Sequence, residues 1–295
     1  MQMPASMRIC DSQPISYCRW VLGSPVNTFQ SRNDDRPLER GPTRRGVGLG
    51  FVAFAAGCGE APDLSPGEQG RVARVSDGDL LALDTGQRVR LVEIEAPSLG
   101  YRERPSAPFA EESRAALEAA CVGRMARLFY GGLSRDRYDR ALAHVIASDE
   151  TGGAVWLNGY MVRQGAARVR TYPDNARRAR QLLDLEQEAR KAGKGLWALP
   201  DYRVRSPGDL ADAPYFALVE GVLAALANIP GDGVARMRGL EIAVDLGERL
   251  GPPDSVLDFR VGRPVRVRGR IDTRAGQPQI RITHWAQVET PASDA

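Results

Sequence analysis

The sequence predicts a mainly β protein of the α+β class with two folded units, and three features of its pattern support this. Apolar and polar residues alternate through residues 70–91, which is typical of half-buried strands. Residues 176–191 carry apolar side chains at helical spacing. Alternation returns after residue 214, with almost no helical signal. A chain of 295 residues suits two such units better than one.

The first unit, predicted over residues 68–200, opens with three strands of a meander. Turns at 77–79 and 84–86 separate these strands, and we expect their glycines to supply a positive φ. Further along the chain, the pattern predicts a helix at 108–120, strands at 127–130 and 141–147, a helix at 157–164 that ends at Gly165, and a closing helix at 176–191 that ends at Gly193.

The second unit, predicted over residues 214–290 after a linker at 201–213, reads as all β. Its strand-like segments are YFALVEGVL, LEIAVDL, VLDFRV, PVRVRGRI and PQIRITHWAQVE. Five such strands predict a second small barrel or sandwich, OB-like in size. In PVRVRGRI, Arg266, Arg268 and Arg270 share one face, and Arg281 of the next strand extends it. This arginine ridge is either a solvated strand protected from edge pairing or a polyanion-binding surface.

Composition and cysteine usage exclude several classes of protein. The net charge is only +3, so charge alone is weak evidence for a polyanionic partner. The cysteines lack the paired spacing of a zinc site and the regular spacing of a disulfide framework. They are Cys10, Cys18, Cys58 and Cys121.

The N-terminal region has the layout of an export signal. Residues 1–40 lack an apolar period and are predicted to be disordered, or to be an extension absent from the mature protein. Residues 41–58 place a twin arginine, a short apolar run and small residues before Cys58, as in a signal peptide with a lipobox. We expect cleavage after Gly57, lipidation of Cys58, a tether at 59–67, and a location in the cell envelope or periplasm. The alternative is a short buried helix with an ordinary core cysteine.

An ordered series of motifs covers about 130 residues of the first unit. The series is V-x-D-G-D, V-R-L-x-x-I-E-A-P, D-R-Y-D-R-A-L-A and E-A-R-K-A-G-K-G-L-W. It resembles the staphylococcal nuclease (thermonuclease) family. The resemblance implies a five-stranded OB-type barrel with packed helices. It also implies phosphodiester hydrolysis of DNA or RNA, with nucleic acid as the partner and calcium as the only cofactor.

Transferred motif by motif, the resemblance assigns a metal site and a phosphate clamp. Asp79 and its companion Asp77 fall on the metal carboxylates of the D-G-D turn, Glu95 on a further metal carboxylate, and Ala96 on a ligand supplied by its backbone carbonyl. Arg90 and Arg140 match the two phosphate-binding arginines. A hard cation takes oxygen ligands, and arginine forks stabilise charge on phosphate oxygens.

The sequence departs from the family pattern at the general base. Ser98 stands where the resemblance implies a glutamate, and the loss of a general base typically removes about 10²- to 10⁴-fold of rate. Three nearby carboxylates are candidate replacements: Glu103, Glu111 and Glu112. Three functions therefore stay open. The first is a nuclease weakened at Ser98, and the second is a catalytically silent envelope lipoprotein that binds nucleic acid or another polyanion. The third is an envelope lipoprotein whose barrels bind another protein or a cell-wall component.

The remaining candidates are aromatic, and each residue has a structural alternative. Tyr138 and Tyr172 are candidates for base or sugar contacts, with core packing as the alternative. The Asp-Gly turn is also an ordinary hairpin signal. Strict alternation puts Arg90 and Glu95 on opposite faces, so a shared site requires the chain to bend, and we expect that bend at residues 96–97.

Overall fold

The computed structural model describes residues 64–211, 213–228, 232–246, 259–274 and 276–291. The predicted extension at 1–40, the signal peptide at 41–58 with Cys58, and residues 59–63 of the predicted tether lie outside these ranges. Within them, no helix combines the length and the apolar character that crossing a membrane requires.

The first folded unit is a closed five-stranded β-barrel. The unit has eight strands in all, five of which form the barrel. They are β1 (Ser65–Asp77), β2 (Leu80–Leu83), β3 (Arg88–Leu91), β4 (Ile94–Glu95), β5 (Met125–Tyr130), β6 (Ala141–Ser148), β7 (Ala154–Trp156) and β8 (Arg168–Val169). The barrel runs β3–β2–β1–β5–β6, and a parallel pairing of β6 with β3 closes it. This order is that of an OB barrel, so the predicted fold class is confirmed. Because β1 begins at Ser65, the end of the predicted tether belongs to the barrel.

Three helices pack against this barrel. They are α1 (Ala110–Cys121), α2 (Leu157–Arg163) and α3 (Ala179–Lys191). Leu117, Met161 and Leu182, one from each helix, are buried in a single core with the inward side chains of the strands. In α3 the buried stripe continues through Glu186, a position where helical spacing calls for an apolar residue. The exception is explained by the buried ion pair that Glu186 forms with Arg268 of the second unit.

The second folded unit is a closed barrel with the same strand order as the first. Its strands are β9 (Phe216–Ala227), β10 (Asp232–Met237), β11 (Leu240–Asp245), β12 (Pro264–Asp272), β13 (Gln279–Ile282) and β14 (Val288–Glu289). The barrel runs β13–β11–β10–β9–β12, with β12 returning to β13 and a parallel pairing of β11 with β13. The predicted OB-like second domain is therefore confirmed.

One predicted strand of the second unit is wrong. The described part of the VLDFRV segment, residues 259–261, is not a strand. The barrel instead contains a strand that the sequence did not predict, β10, which forms a hairpin with β11. Its inward residues are Ala235 and Met237, and small residues and glycine give it little alternation to detect.

The predicted arginine ridge is also wrong, because β12 packs against the first unit. Arg268 is only 1% exposed and pairs with Glu186 of α3 at 2.7 Å, with Glu289, and with the carbonyl oxygen of Val169 at 3.1 Å. Arg266 pairs with Glu220 and with Glu289. Two of the three β12 arginines are thus held in ion pairs, and only Arg270 is exposed. A buried ionic cluster joins the two barrels.

Candidate functional site

A cleft of about 560 Å³ opens at the mouth of the first barrel. Six of the residues predicted for the site line it: Arg90, Glu95, Ser98, Tyr138, Arg140 and Tyr172. Its walls also include Arg137, Arg170 and Tyr215. Asp77, Asp79 and Ala96 do not line the cleft, whose lining includes four arginines, three tyrosines and four carboxylates.

A sharp turn at Glu93 brings Arg90 and Glu95 to the same cleft. Glu93 has φ 65°, a left-handed conformation that is uncommon for residues other than glycine. Its buried carboxylate accepts hydrogen bonds from His144 and from the backbone N–H of Arg178 at the start of α3. The chain therefore bends at residues 92–93 and not at 96–97 as expected, and two buried contacts hold the strained residue in place.

Asp79 is buried in the hairpin turn between β1 and β2. One carboxylate oxygen accepts from Arg90 at 2.9 Å and from the backbone N–H of Ala96 at 3.1 Å. Burial raises the pKa of Asp79 to about 6, against the lowering effect of Arg90 and Ala96. Burial also raises the pKa of Asp77. Two carboxyl groups behind the cleft are thus less acidic than usual.

Gly78, between these two aspartates, is required for space and not for its conformation. It lies outside the positive-φ region, contrary to expectation, whereas Gly86 of the second turn has φ 85°. A Cβ atom at Gly78 would lie 2.0 Å from Oγ of Ser113 in α1. The D-G-D turn is therefore pressed against the first helix.

Glu95 is enclosed by cations and a hydroxyl. Oε2 accepts from Nε and Nη2 of Arg168 at 3.1 and 2.8 Å, while Oε1 accepts from Arg170 and from the Tyr215 hydroxyl. Burial alone raises the pKa of Glu95, but Arg168, Arg170 and Tyr215 outweigh it and hold the pKa below its ordinary value. Glu95 is therefore ionised and has both oxygens engaged.

The second clamp residue, Arg140, lies on the opposite wall beside Tyr138. Its guanidinium pairs with Asp136 at 2.6 Å and lies 5.3 Å from the centre of the Tyr138 ring. Arg137 stacks on the same ring at 4.8 Å. On the facing wall, Arg170 lies 5.4 Å from the Tyr172 ring. Both tyrosines are about half exposed, at 53% and 50%, so part of each ring is accessible from solvent.

None of the three candidate replacements for the base at Ser98 lines the cleft. Ser98 lines the cleft, but Glu103, Glu111 and Glu112 do not. Glu111 instead pairs with Arg114 on the surface of α1. Four carboxylates do line the cleft. Glu95 and Asp136 are in ion pairs, and Glu93 is bonded to His144 and to the backbone N–H of Arg178. The fourth, Asp174, is exposed.

The predicted metal ligands do not fit a calcium ion in this arrangement. Calcium takes about six to eight oxygen ligands, yet both oxygens of Glu95 and one of Asp79 are already bonded to arginine, tyrosine or backbone donors. Among the residues that the structure describes, no group of three or more His, Cys, Asp or Glu side chains could hold a metal.

Sequence reasoning did not identify the partners of Glu95. Arg168 and Arg170 alternate with the buried Val169, and this R-V-R pattern is a local signal that two cations share one face. Tyr215 had no such signal because it comes from the second unit. Its role depends on how the two barrels pack.

Fold and cleft together define an OB-barrel domain with arginines at its mouth. Residues 88–199 match the family model described as staphylococcal nuclease homologue. Protein ParB of Escherichia coli is 34% identical over 139 residues, which are 45% of this chain and 73% of that protein. Micrococcal nuclease of Shigella flexneri is 32% identical over 140 residues, 45% of this chain and 75% of that protein. Thermonuclease of Staphylococcus intermedius is 28% identical over 134 residues, which are 44% of this chain and 77% of that protein. The chain belongs to the staphylococcal nuclease family.

Proposed function

We propose that this nuclease-family domain binds nucleic acid through its phosphates in the Arg90–Arg140 cleft and hydrolyses it very slowly or not at all. The observation that carries the proposal is the state of Glu95, which is bonded to Arg168, Arg170 and Tyr215. A carboxylate saturated in this way has no free oxygen for a cation. It stands beside Ser98, which cannot take a proton from water near neutral pH.

Binding is supported by the chemistry of the cleft walls. Arg90 and Arg140 are each paired with a single carboxylate and keep part of the side chain open to solvent, at 29% and 20% exposure. Each guanidinium has five N–H donors, so donors stay available for phosphate oxygens. Tyr138 and Tyr172 are half-exposed rings beside these arginines, and aromatic rings can stack with unpaired bases without sequence preference.

A calcium-dependent phosphodiesterase is the second candidate. The printed names of the relatives, thermonuclease and micrococcal nuclease, favour it. So does the electrostatic environment of Asp79, since burial and, to a smaller extent, the charges of Asp77 and Glu95 raise its pKa. For this function Glu95 would have to leave its arginine partners.

Binding and cleavage measured on one oligonucleotide separate the two candidates. Fluorescence anisotropy with a labelled single strand, in EDTA and in calcium, gives the affinity, and a denaturing gel gives cleavage. Arg140→Ala is compared with Arg127→Ala, which removes the same charge from an exposed site outside the cleft. We expect Arg140→Ala to weaken binding about 10- to 100-fold, the worth of a hydrogen bond to a charged group.

Equal affinity in the two arginine variants would refute binding in this cleft. Cleavage that requires calcium and disappears in Arg140→Ala would establish the second candidate. We also expect Ser98→Glu to gain cleavage over the native chain only if Glu95 can hold a cation. Ser98→Glu combined with Arg170→Ala therefore tests the missing base and the engaged oxygens of Glu95 in a single variant.

We also propose that the protein is exported and anchored to a membrane of the cell envelope through a lipid on Cys58. The order of twin arginine, apolar run and small residues before Cys58 supports this. Metabolic labelling with a fatty acid, compared between the native chain and Cys58→Ala, tests it. Label that persists in Cys58→Ala rules out the anchor.

A further inference from the structure

A second cavity of about 640 Å³ adjoins the cleft. It lies between the segment that follows β4 and the segments on either side of the linker, and Glu95, Ser98 and Tyr215 line both cavities. Its remaining walls include Pro97, Arg104, Pro105, Ala107, Pro108 and Tyr202. The two cavities are therefore neighbours with a shared boundary.

Tyr215 stands at that boundary and comes from the second unit. It is 54% exposed, its hydroxyl donates to Glu95, and its ring lies 5.8 Å from the Arg170 guanidinium. The backbone of Tyr215 is fixed by a hydrogen bond from the N–H of Ile271 in β12 at 2.9 Å. The ring is thus held at one end and open on a face.

We propose that the second cavity binds further nucleotides of a single-stranded nucleic acid, whose bases stack on Tyr215 as the strand passes from the Arg90–Arg140 cleft. The inference rests on the proposed function and extends the site onto the second barrel.

The walls of the second cavity suit a nucleotide better than a purely apolar or purely ionic ligand. Arg104 is an exposed cation at its edge, placed to meet a phosphate. Prolines and alanines provide apolar wall, and the Tyr202 hydroxyl donates to the carbonyl oxygen of Pro108 at 2.7 Å. Polar groups over an apolar floor are the usual composition of a ligand pocket.

The geometry selects a single strand over a duplex. Stacking on Tyr138, Tyr172 and Tyr215 requires bases that are unpaired and can turn out of their own stack. These three rings line one cleft and are each about half exposed. A duplex keeps its bases stacked inside and offers only its backbone to such a surface.

The test compares the affinities of the full chain for labelled single strands of about two and about eight nucleotides, the longer being within the site size of one OB fold. Tyr215→Ala removes the ring and the hydroxyl, while Tyr215→Phe removes only the hydroxyl. We expect Tyr215→Ala to reduce the advantage of the long strand over the short one by about 5-fold or more, and Tyr215→Phe to restore most of it.

A matched arginine pair tests the far end of the cavity. Arg104→Ala is compared with Arg102→Ala, a nearby arginine that lines neither cavity. We expect only Arg104→Ala to lower the long-strand advantage and to flatten its salt dependence. A long strand carrying 5-iodouracil should also cross-link to the peptide that contains Tyr215.

Each result decides between the proposals. If the long strand binds no better than the short one, or Tyr215→Phe loses as much as Tyr215→Ala, the second cavity is not part of the site, although the proposed function stands. Cross-links confined to Tyr138 and Tyr172 would likewise refute binding in the second cavity and leave the proposed function standing. If neither strand binds the native chain, both proposals are refuted together.

Discussion

Replacement of Arg268 by methionine tests whether the buried ionic cluster holds the two barrels together. The guanidinium makes a double contact with Glu186, at 2.7 and 3.0 Å, and both side chains are at most 1% exposed. Removing one partner of a buried pair costs about 3–5 kcal/mol, since the other charge is left uncompensated. Here Glu186 keeps Arg190 at 3.3 Å and the backbone N–H of Val169 at 2.5 Å. We therefore expect the low end, a loss of about 3 kcal/mol.

Urea unfolding followed by tryptophan fluorescence measures this loss. With a slope of about 2–3 kcal/mol per M, the midpoint for Arg268→Met should fall by about 1 M or slightly more. Arg270→Met, an exposed position on the same strand, is the matched control and should change stability by less than about 0.5 kcal/mol.

A second substitution isolates the charge that Arg268→Met leaves behind. Adding Glu186→Gln keeps an acceptor for the Val169 N–H and removes the negative charge, so the double variant should recover part of the loss. Equal unfolding free energies for Arg268→Met and Arg270→Met would refute the role of the cluster. A double variant as unstable as the sum of its single changes would refute the explanation by unpaired charge.

Three further predictions concern single buried groups. Burial lowers the pKa of His284 to about 4, so its contribution to stability is complete above about pH 6.5 and is lost as the pH falls. The raised pKa values of Asp77 and Asp79 act in the opposite direction, so the quantity to measure is the difference in unfolding free energy between the native chain and His284→Asn, which should fall by about 2 kcal/mol between pH 7 and 5. Asn158→Leu leaves the N–H of Val145 and the carbonyl of Val92 without their partner and should cost about 2–4 kcal/mol in urea unfolding. Burial raises the pKa of Cys121 to about 12, so peptide mass spectrometry should find its thiol unalkylated by iodoacetamide at pH 8 until the chain unfolds.

Each of these predictions has its own control. His284→Asn keeps a side-chain acceptor for the N–H of Ala286 and should lose only the part of the pH dependence that comes from the histidine; a pH profile identical to that of the native chain would contradict the assignment. An Asn158→Leu variant within about 0.5 kcal/mol of the native chain would show that the two backbone groups find other partners. Rapid alkylation of Cys121 in the native state would show that the core around α1 opens readily.

Much of the fold could be predicted because its signals are local. Alternation places strands, helical spacing places α3, and turn residues separate β1 from β2. Sequence analysis also identified six residues that line one cleft, four of which lie within the ordered motifs. Those motifs fix residue types at short spacing, which is the kind of information that a single sequence carries.

The pairings that change the interpretation of the site are not local. Glu95 and Arg168 are 73 residues apart, and Arg268 and Glu186 are 82 apart. Alternation assigned Arg268 to the face opposite Val267 but could not say what covers that face. The same limit applies to Glu95, whose charge was predicted and whose partners were not.

The contacts that Tyr215 and Phe216 make with Glu95 and Arg168 determine where the chain can be cut into fragments for binding studies. The family match ends at residue 199, before either residue, and begins at residue 88, after β1 and β2. Arg168 donates to the carbonyl oxygen of Phe216 at 3.0 Å. A fragment cut at the matched boundaries would lose two barrel strands, and a fragment cut only after residue 199 would expose Glu95 and Arg168 to water. Affinities measured on such a fragment would describe a cleft that the intact chain does not have.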